Sequence, residues 1–309
     1  MQSTSTIAPI RKFAIYARRI LISFAALSLV LYTGIALLAA NVTTMPLRAA
    51  RISTPANVGL SFEEVRFPAH GDDATIAGWY IPNPGATRAA VLVHGKDSSR
   101  SSALAGRFVE VAAALHAHGF SVLMIDLRGH GESSPARFTF GLWERRDIIG
   151  AVDWLQSTHG IPPQRVGVLG VSMGAAAGIG AMHDDPDIGA LVADCSYAEV
   201  YPLMQLHWSE AAHLPEAFLP GALLAGRLLT GVDLTQARPV VDIVDIKPVL
   251  IIHGIADSFT PIEQGRQLAA AAPAAEYWEV AGAEHARAYA TNPSAYMSRV
   301  ITFFDKALP

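Results

Sequence analysis

Arg165-Val166-Gly167-Val168-Leu169-Gly170-Val171-Ser172-Met173-Gly174-Ala175-Ala176-Ala177-Gly178-Ile179-Gly180 reads as a buried strand, a tight turn and a helix of small residues in immediate succession. Glycine stands two places before and two places after Ser172. A turn this sharp brings backbone segments too close for side chains at those two positions, and it lifts the serine hydroxyl clear of the strand end. The pattern is that of a nucleophile elbow. In a chain with 25 glycines among 309 residues the pentapeptide alone is a weak signal, so the surrounding sequence must supply its partners in the right order.

Working outward, short apolar runs rich in Val, Ile and Leu occupy 89–93, 121–125, 165–171, 189–193, 248–252 and 276–280. They resemble strands buried on both faces. Helix-length segments lie between most of them, at 103–117, 141–157, 173–183 and 262–271, and a last one at 293–304 closes the chain. This alternation predicts an α/β fold with a mostly parallel twisted sheet flanked by helices, with ligands bound at the carboxyl ends of the strands. Ahead of it, 62–69 and 75–82 alternate apolar and polar residues around His70-Gly71-Asp72-Asp73, the signature of an antiparallel hairpin.

The rhythm breaks at 196–244, a long helical, proline-containing insertion between two strands. Insertions of this length in a compact domain tend to be functional. Tyr197, Tyr201, Leu203, Met204, Trp208, Phe218 and Leu219 are therefore candidates for a small helical cap, the alternative being that they seal the sheet edge. One domain over 61–309 accommodates all of this.

From Ile20 to Ala40 the chain carries no charge, and as a helix this stretch would rise about 30 Å, enough to cross the hydrocarbon layer. Arg11, Lys12, Arg18 and Arg19 precede it, and only Arg48 and Arg51 follow closely. The positive-inside bias thus predicts a cytoplasmic basic N-terminus (1–19), a transmembrane helix or signal anchor (20–40), a linker (41–60) and an extracytoplasmic domain. Cleavage as a signal peptide followed by secretion is the alternative. The stretch is long for a signal peptide, and Leu38 stands where a small residue is wanted near a cleavage site.

Apolar residues make up 51% of the chain and charged residues 16%, with a net charge of −4. No basic surface is offered to a phosphate backbone, so no nucleic-acid partner is expected. Cys195, the sole cysteine, can form no intramolecular disulfide and follows an apolar run, which points to packing. Eleven histidines show no His-Glu-x-x-His or comparable ligand spacing, so neither a metal nor a cofactor is called for.

A serine hydroxyl is a poor nucleophile at neutral pH and needs a base, itself oriented by a third group. The base expected from position along the fold is His285, in the loop after the last strand. The orienting acid is Asp257, in the loop after the strand before, with Asp194 and Glu284 as rivals. Charge developing on a substrate carbonyl needs fixed donors. The backbone N–H groups of Met173, at the start of a helix, and Lys96, after His94-Gly95, are placed to supply this oxyanion hole. Asp126-Leu127-Arg128-Gly129-His130-Gly131-Glu132-Ser133 lacks the Gly-Lys-Ser/Thr ending of a phosphate loop and reads as a hydrogen-bonded structural turn beside those donors.

With these residues in place, the chain resembles the α/β-hydrolase superfamily over roughly 60–306. The resemblance rests on Val91-Leu92-Val93-His94-Gly95, the 126–133 turn, Gly170-Val171-Ser172-Met173-Gly174, His253-Gly254-Ile255-Ala256-Asp257 and Glu284-His285, in that order. It is most similar to the compact serine hydrolases grouped with serine aminopeptidases and dienelactone-hydrolase-like proteins, several of which carry an N-terminal anchor. The resemblance implies an eight-stranded sheet and the triad Ser172, Asp257 and His285. The expected activity is cleavage of carboxylic esters, and the cap and the tether favour acyl or lipid-derived small-molecule substrates. A thioesterase or peptidase of the same fold, or a noncatalytic binding module, are the alternatives. Enzymes of this fold that act on epoxides or haloalkanes are disfavoured, because they place aspartate at the elbow.

Overall fold

The computed structural model describes residues 7–246 and 248–308, with side chains from residue 12 onward. Residues 1–6 of the segment read as a basic N-terminus, like Arg11's side chain, lie outside what is described. The chain starts with one long helix, α1 (Ile7–Thr44), followed by a hairpin, β1 (Glu63–Pro68) and β2 (Thr75–Ile81). Strands and helices then alternate: β3 (Ala89–Val93), α2 (Phe108–Ala117), β4 (Ser121–Ile125), α3 (Arg145–His159), β5 (Val166–Val171), α4 (Met173–Asp184) and β6 (Ile188–Asp194). The insertion carries α5 (Val200–Ala212), α6 (Leu219–Thr230) and α7 (Pro239–Asp242). The alternation resumes with β7 (Val249–Gly254), α8 (Ile262–Ala271), β8 (Glu276–Val280), α9 (Ala288–Thr291) and α10 (Pro293–Ala307).

All eight strands join one sheet in the order β1-β2-β4-β3-β5-β6-β7-β8. The β1–β2 and β2–β4 pairings are antiparallel and every other pairing is parallel. The parallel strands β3, β4 and β5 are buried along their whole length, which is why they read as unbroken apolar runs. Alternate residues serve opposite faces: Val91 and Val93 pack with α3 and α4, whereas Leu92 packs with α2 and α10. Strand order reverses about β3 and β5, so the chain leaves their carboxyl ends to opposite sides and opens a crevice between them.

Two helix starts differ from expectation. The segment expected to be helical from Ala103 first makes a short 3-10 turn with Leu104 and Ala105 at positive φ, and the α-helix begins only at Phe108. Gly106, at φ 82°, supplies the break. Similarly, α3 starts at Arg145 rather than Gly141. The buried Glu144 carboxylate accepts hydrogen bonds from the Thr139 amide and hydroxyl and from the Gly141 amide, holding 139–144 as a turn. These bonds pair the amides of Thr139 and Gly141 and fix the turn that precedes the helix.

Helix α1 is long and apolar enough to cross a membrane. It continues to Thr44, into the stretch read as linker, where the Thr43 and Thr44 hydroxyls donate to the carbonyls of Ala39 and Ala40. Beyond it the chain is fastened to the domain. The Leu47 amide donates to Asp97, Arg48 donates to the carbonyls of Gly131 and Ser133, and Ser53 exchanges hydrogen bonds with Ser101.

Candidate active site

The turn after β5 has the geometry its glycines require. Ser172 sits at φ 55° and ψ −119°, a conformation costing on the order of 1–3 kcal/mol for a residue with a side chain. A side chain on Gly174 would fall on the carbonyl oxygens of Val93 and His94, and one on Gly170 would fall on the start of α4. Gly174→Ala is therefore expected to destabilise the protein by about 3 kcal/mol, since backbone on both sides leaves no rotamer to yield. Denaturant unfolding of the variant would measure it, and an unchanged midpoint would contradict the packing described.

Nε2 of His285 lies 2.9 Å from Oγ of Ser172, and Nδ1 lies 2.8 Å from Oδ2 of Asp257. The network fits the neutral ring with its proton on Nδ1, donating to the carboxylate while Nε2 accepts from the hydroxyl. The other oxygen of Asp257, Oδ1, accepts from the amides of Phe259 and Thr260 at 3.0 and 2.7 Å, which fixes the buried carboxylate in the acid loop. The three residues expected from the sequence thus meet at the carboxyl edge of the sheet.

The rival acids stand apart from that chain of contacts. Asp194 ends β6 fully buried, its Oδ2 accepting from the Tyr296 hydroxyl at 3.0 Å and its Oδ1 without a hydrogen-bond partner. Burial pushes its carboxyl up to about 7, with the Tyr296 hydrogen bond opposing the shift. Glu284 is exposed.

The loop after β3 lies against Ser172: a side chain on Gly95 would come 3.1 Å from its Cβ. The buried His94 braces this loop, its Nδ1 2.7 Å from the Gly95 carbonyl and its Nε2 accepting from the Leu127 amide at 3.0 Å. Burial, reinforced by His130, lowers its pKa to about 3, so the ring stays neutral and can accept through Nε2. Lys96 follows, its ammonium paired with Asp97, and Met173 opens α4. The 126–133 segment is the structural turn expected. Asp126 accepts from the Arg100 and Glu132 amides and pairs with the buried Arg100 guanidinium, while Arg128 forms a buried pair with Asp147. Removing one partner of such a pair typically costs about 3–5 kcal/mol.

Three neighbours of the Ser172–His285–Asp257 contact were not legible in the sequence. Cys195 is buried at φ 48°, close enough to Asp257 and His285 for the three to form the sole metal-type grouping among the described residues. Burial and the flanking carboxylates Asp194 and Asp257 raise its thiol pKa, which leaves it protonated rather than nucleophilic. Phe259 packs against the His285 ring at 4.8 Å, and His207 of α5 stacks on Phe259 at 4.5 Å, its Nε2 2.7 Å from the Phe259 carbonyl. The insertion accordingly reaches His285 at the carboxyl edge of the sheet through α5. Of the residues proposed for a cap, Tyr197 and Leu203 cluster with Ala176 of α4, and Met204 packs on them. Tyr201 is exposed, and Trp208, Phe218 and Leu219 turn away to pack about Ala39 of α1.

An eight-stranded, mostly parallel sheet with a serine–histidine–aspartate contact at its carboxyl edge defines an α/β hydrolase. Residues 85–242 match the family described as serine aminopeptidase, S33. An uncharacterized protein of Mycobacterium tuberculosis, Rv2307c, is 31% identical over 224 residues, 69% of each chain. The esterase Pf2001 of Pyrococcus furiosus superposes with a TM-score of 0.72 at 26% identity, covering 86% of this chain and 98% of its own. A shorter likeness, 29% over 113 residues, links 36% of the chain to 34% of the thiohydrolase aneE of Aspergillus aculeatus. The chain belongs to the serine aminopeptidase, S33 family and is a hydrolase.

Proposed function

We propose that this protein cleaves carboxylic esters through an acyl-enzyme on Ser172. His285 takes the hydroxyl proton through Nε2 as Oγ attacks the acyl carbonyl, then returns it to the departing alcohol. Asp257 holds the ring and stabilises the imidazolium that forms meanwhile. The oxyanion is held by the backbone N–H groups of Lys96 and Met173, each worth about 3 kcal/mol of barrier. Water activated by the same histidine then releases the acid. The reading is carried by the unbroken Ser172–His285–Asp257 contact, which also weighs against a noncatalytic scaffold. Likeness to an esterase supports ester over amide chemistry.

We place the protein in the membrane through α1, N-terminus cytoplasmic and catalytic domain outside, with acyl or lipid-derived esters as substrates; the unbroken apolar helix and the preceding basic residues support this. A labelled fluorophosphonate is expected to mark the wild-type chain at Ser172, and nitrophenyl esters to turn over faster than acyl thioesters or aminoacyl anilides. Failure to label, alongside a reactive control hydrolase, would overturn the acyl-enzyme. Faster thioester or anilide turnover would reassign the substrate bond to a thioester or an amide.

A further inference from the structure

We propose that helix α6 of the insertion is itself seated in the membrane, its outward leucine face in the leaflet from which α1 emerges, so that acyl substrates reach Ser172 from that leaflet. This rests on reading α1 as an anchor and deepens the substrate assignment above.

The length of α1 left free by the domain carries the first step. Packing begins at Tyr32, whose hydroxyl donates to the Ala217 carbonyl at 2.9 Å and whose ring stacks on Phe218. The charge-free residues before it, 20–31, rise only about 18 Å as a helix, against the roughly 30 Å of a hydrocarbon layer. Extending the span backward would draw Arg18 and Arg19 into hydrocarbon. Extending it forward takes in the part of α1 that lies on α6, and α6 with it.

The packing and surface of α6 suit that environment. Ala36, Ala39 and Ala40 are buried on the side of α1 that meets the insertion, and a side chain on Gly221 would strike the Tyr32 ring. Small residues at a close helix crossing are how helices pair in lipid. On the same stripe of α6 as Gly221, one and two turns on, Leu224 and Leu228 are 63% and 76% exposed, an apolar surface that flanks the contact with α1. Glu216 at the entrance to α6 and Arg227 within it are exposed, which sets the depth at the boundary between headgroups and acyl chains rather than at the bilayer centre.

The active site is bracketed by the same contact. On α5, His207 stacks on the Phe259 that touches His285, and the next residue, Trp208, packs by Ala39 of α1. On the other side, Asp97, next to Lys96, holds the Leu47 amide just beyond the end of α1.

The test uses full-length protein in phosphatidylcholine vesicles, with one spin label at a time at Leu224→Cys, Leu228→Cys, Leu27→Cys on α1, and Ala274→Cys at the amino end of β8. The buried Cys195 is left in place. At Leu224 and Leu228 the ratio of collisions with oxygen to collisions with a water-soluble nickel chelate is expected to exceed that at Ala274 about tenfold and to fall short of that at Leu27, which lies deeper in the bilayer. A ratio equal to that of Ala274, with Leu27 still high, overturns the seating of α6 alone. Protection from both reagents does so too, since it would mean a protein partner covers the face. A water-like Leu27 removes the anchor and this proposal together. With Leu228→Glu, turnover of a long-chain ester in the vesicles is expected to fall about tenfold while that of a soluble acetate ester holds. Equal effects on the two, or none, overturn entry from the leaflet.

Discussion

Ser172→Ala is expected to lower kcat for a nitrophenyl ester about a million-fold and to abolish fluorophosphonate labelling, because the nucleophile and its base act as one unit. Folding should survive. Alanine keeps the Cβ that already sits beside Gly95, and the amide of residue 172 still donates to the Asp194 carbonyl at 2.8 Å. The melting temperature is accordingly expected to stay within a few degrees of wild type. Steady-state kinetics beside a thermal melt separates the outcomes. Equal turnover in a folded variant would mean that Ser172 is not the nucleophile.

Asp257→Asn is expected to cost about ten-thousand-fold in kcat, since an amide in that place favours the wrong tautomer of His285. Asp194→Asn is the matched comparison, a buried carboxyl one strand away whose contact is to Tyr296 rather than to His285. Its catalytic loss should be small, and its effect should fall on stability instead. The carboxyl is held protonated in the fold up to about 7, against a usual value of 3.8. Across that window the unfolded chain releases its proton while the native chain keeps it, so the group's contribution to stability, complete below the window, is lost as pH rises through it. Asparagine cannot ionise and abolishes the decline. The stability of Asp194→Asn relative to wild type should therefore climb from pH 5 to pH 7 and then level off in denaturant titrations. A large kcat loss in Asp194→Asn with little in Asp257→Asn would exchange their roles.

The sheet and the meeting of Ser172, His285 and Asp257 could be read from the chain because each depends on local chemistry. Doubly buried strands must be uniformly apolar, and a turn that presses Gly174 against the carbonyls of Val93 and His94 admits only glycine. What escaped depends on distant partners. Nothing near Gly141 announces that Glu144 will hold the preceding turn out of helix, and Leu104 and Ala105 at positive φ follow no propensity. Trp208 and Leu219 were legible as apolar helix positions, yet whether they face the carboxyl edge of the sheet or α1 is decided by a segment far earlier in the chain. Cys195 was correctly read as packing, but its neighbours became visible only once β6 and β7 were paired.

The hydrogen bonds that tie Leu47, Arg48 and Ser53 to the domain make a short splice where a flexible tether would have let the catalytic body swing. With α1 embedded as proposed, the body keeps a set attitude to its own bilayer, and a tilt of the helix turns the whole enzyme. Its encounters are then confined to a plane: turnover should follow the mole fraction of ester within that sheet of lipid and be indifferent to the same ester on an apposed vesicle.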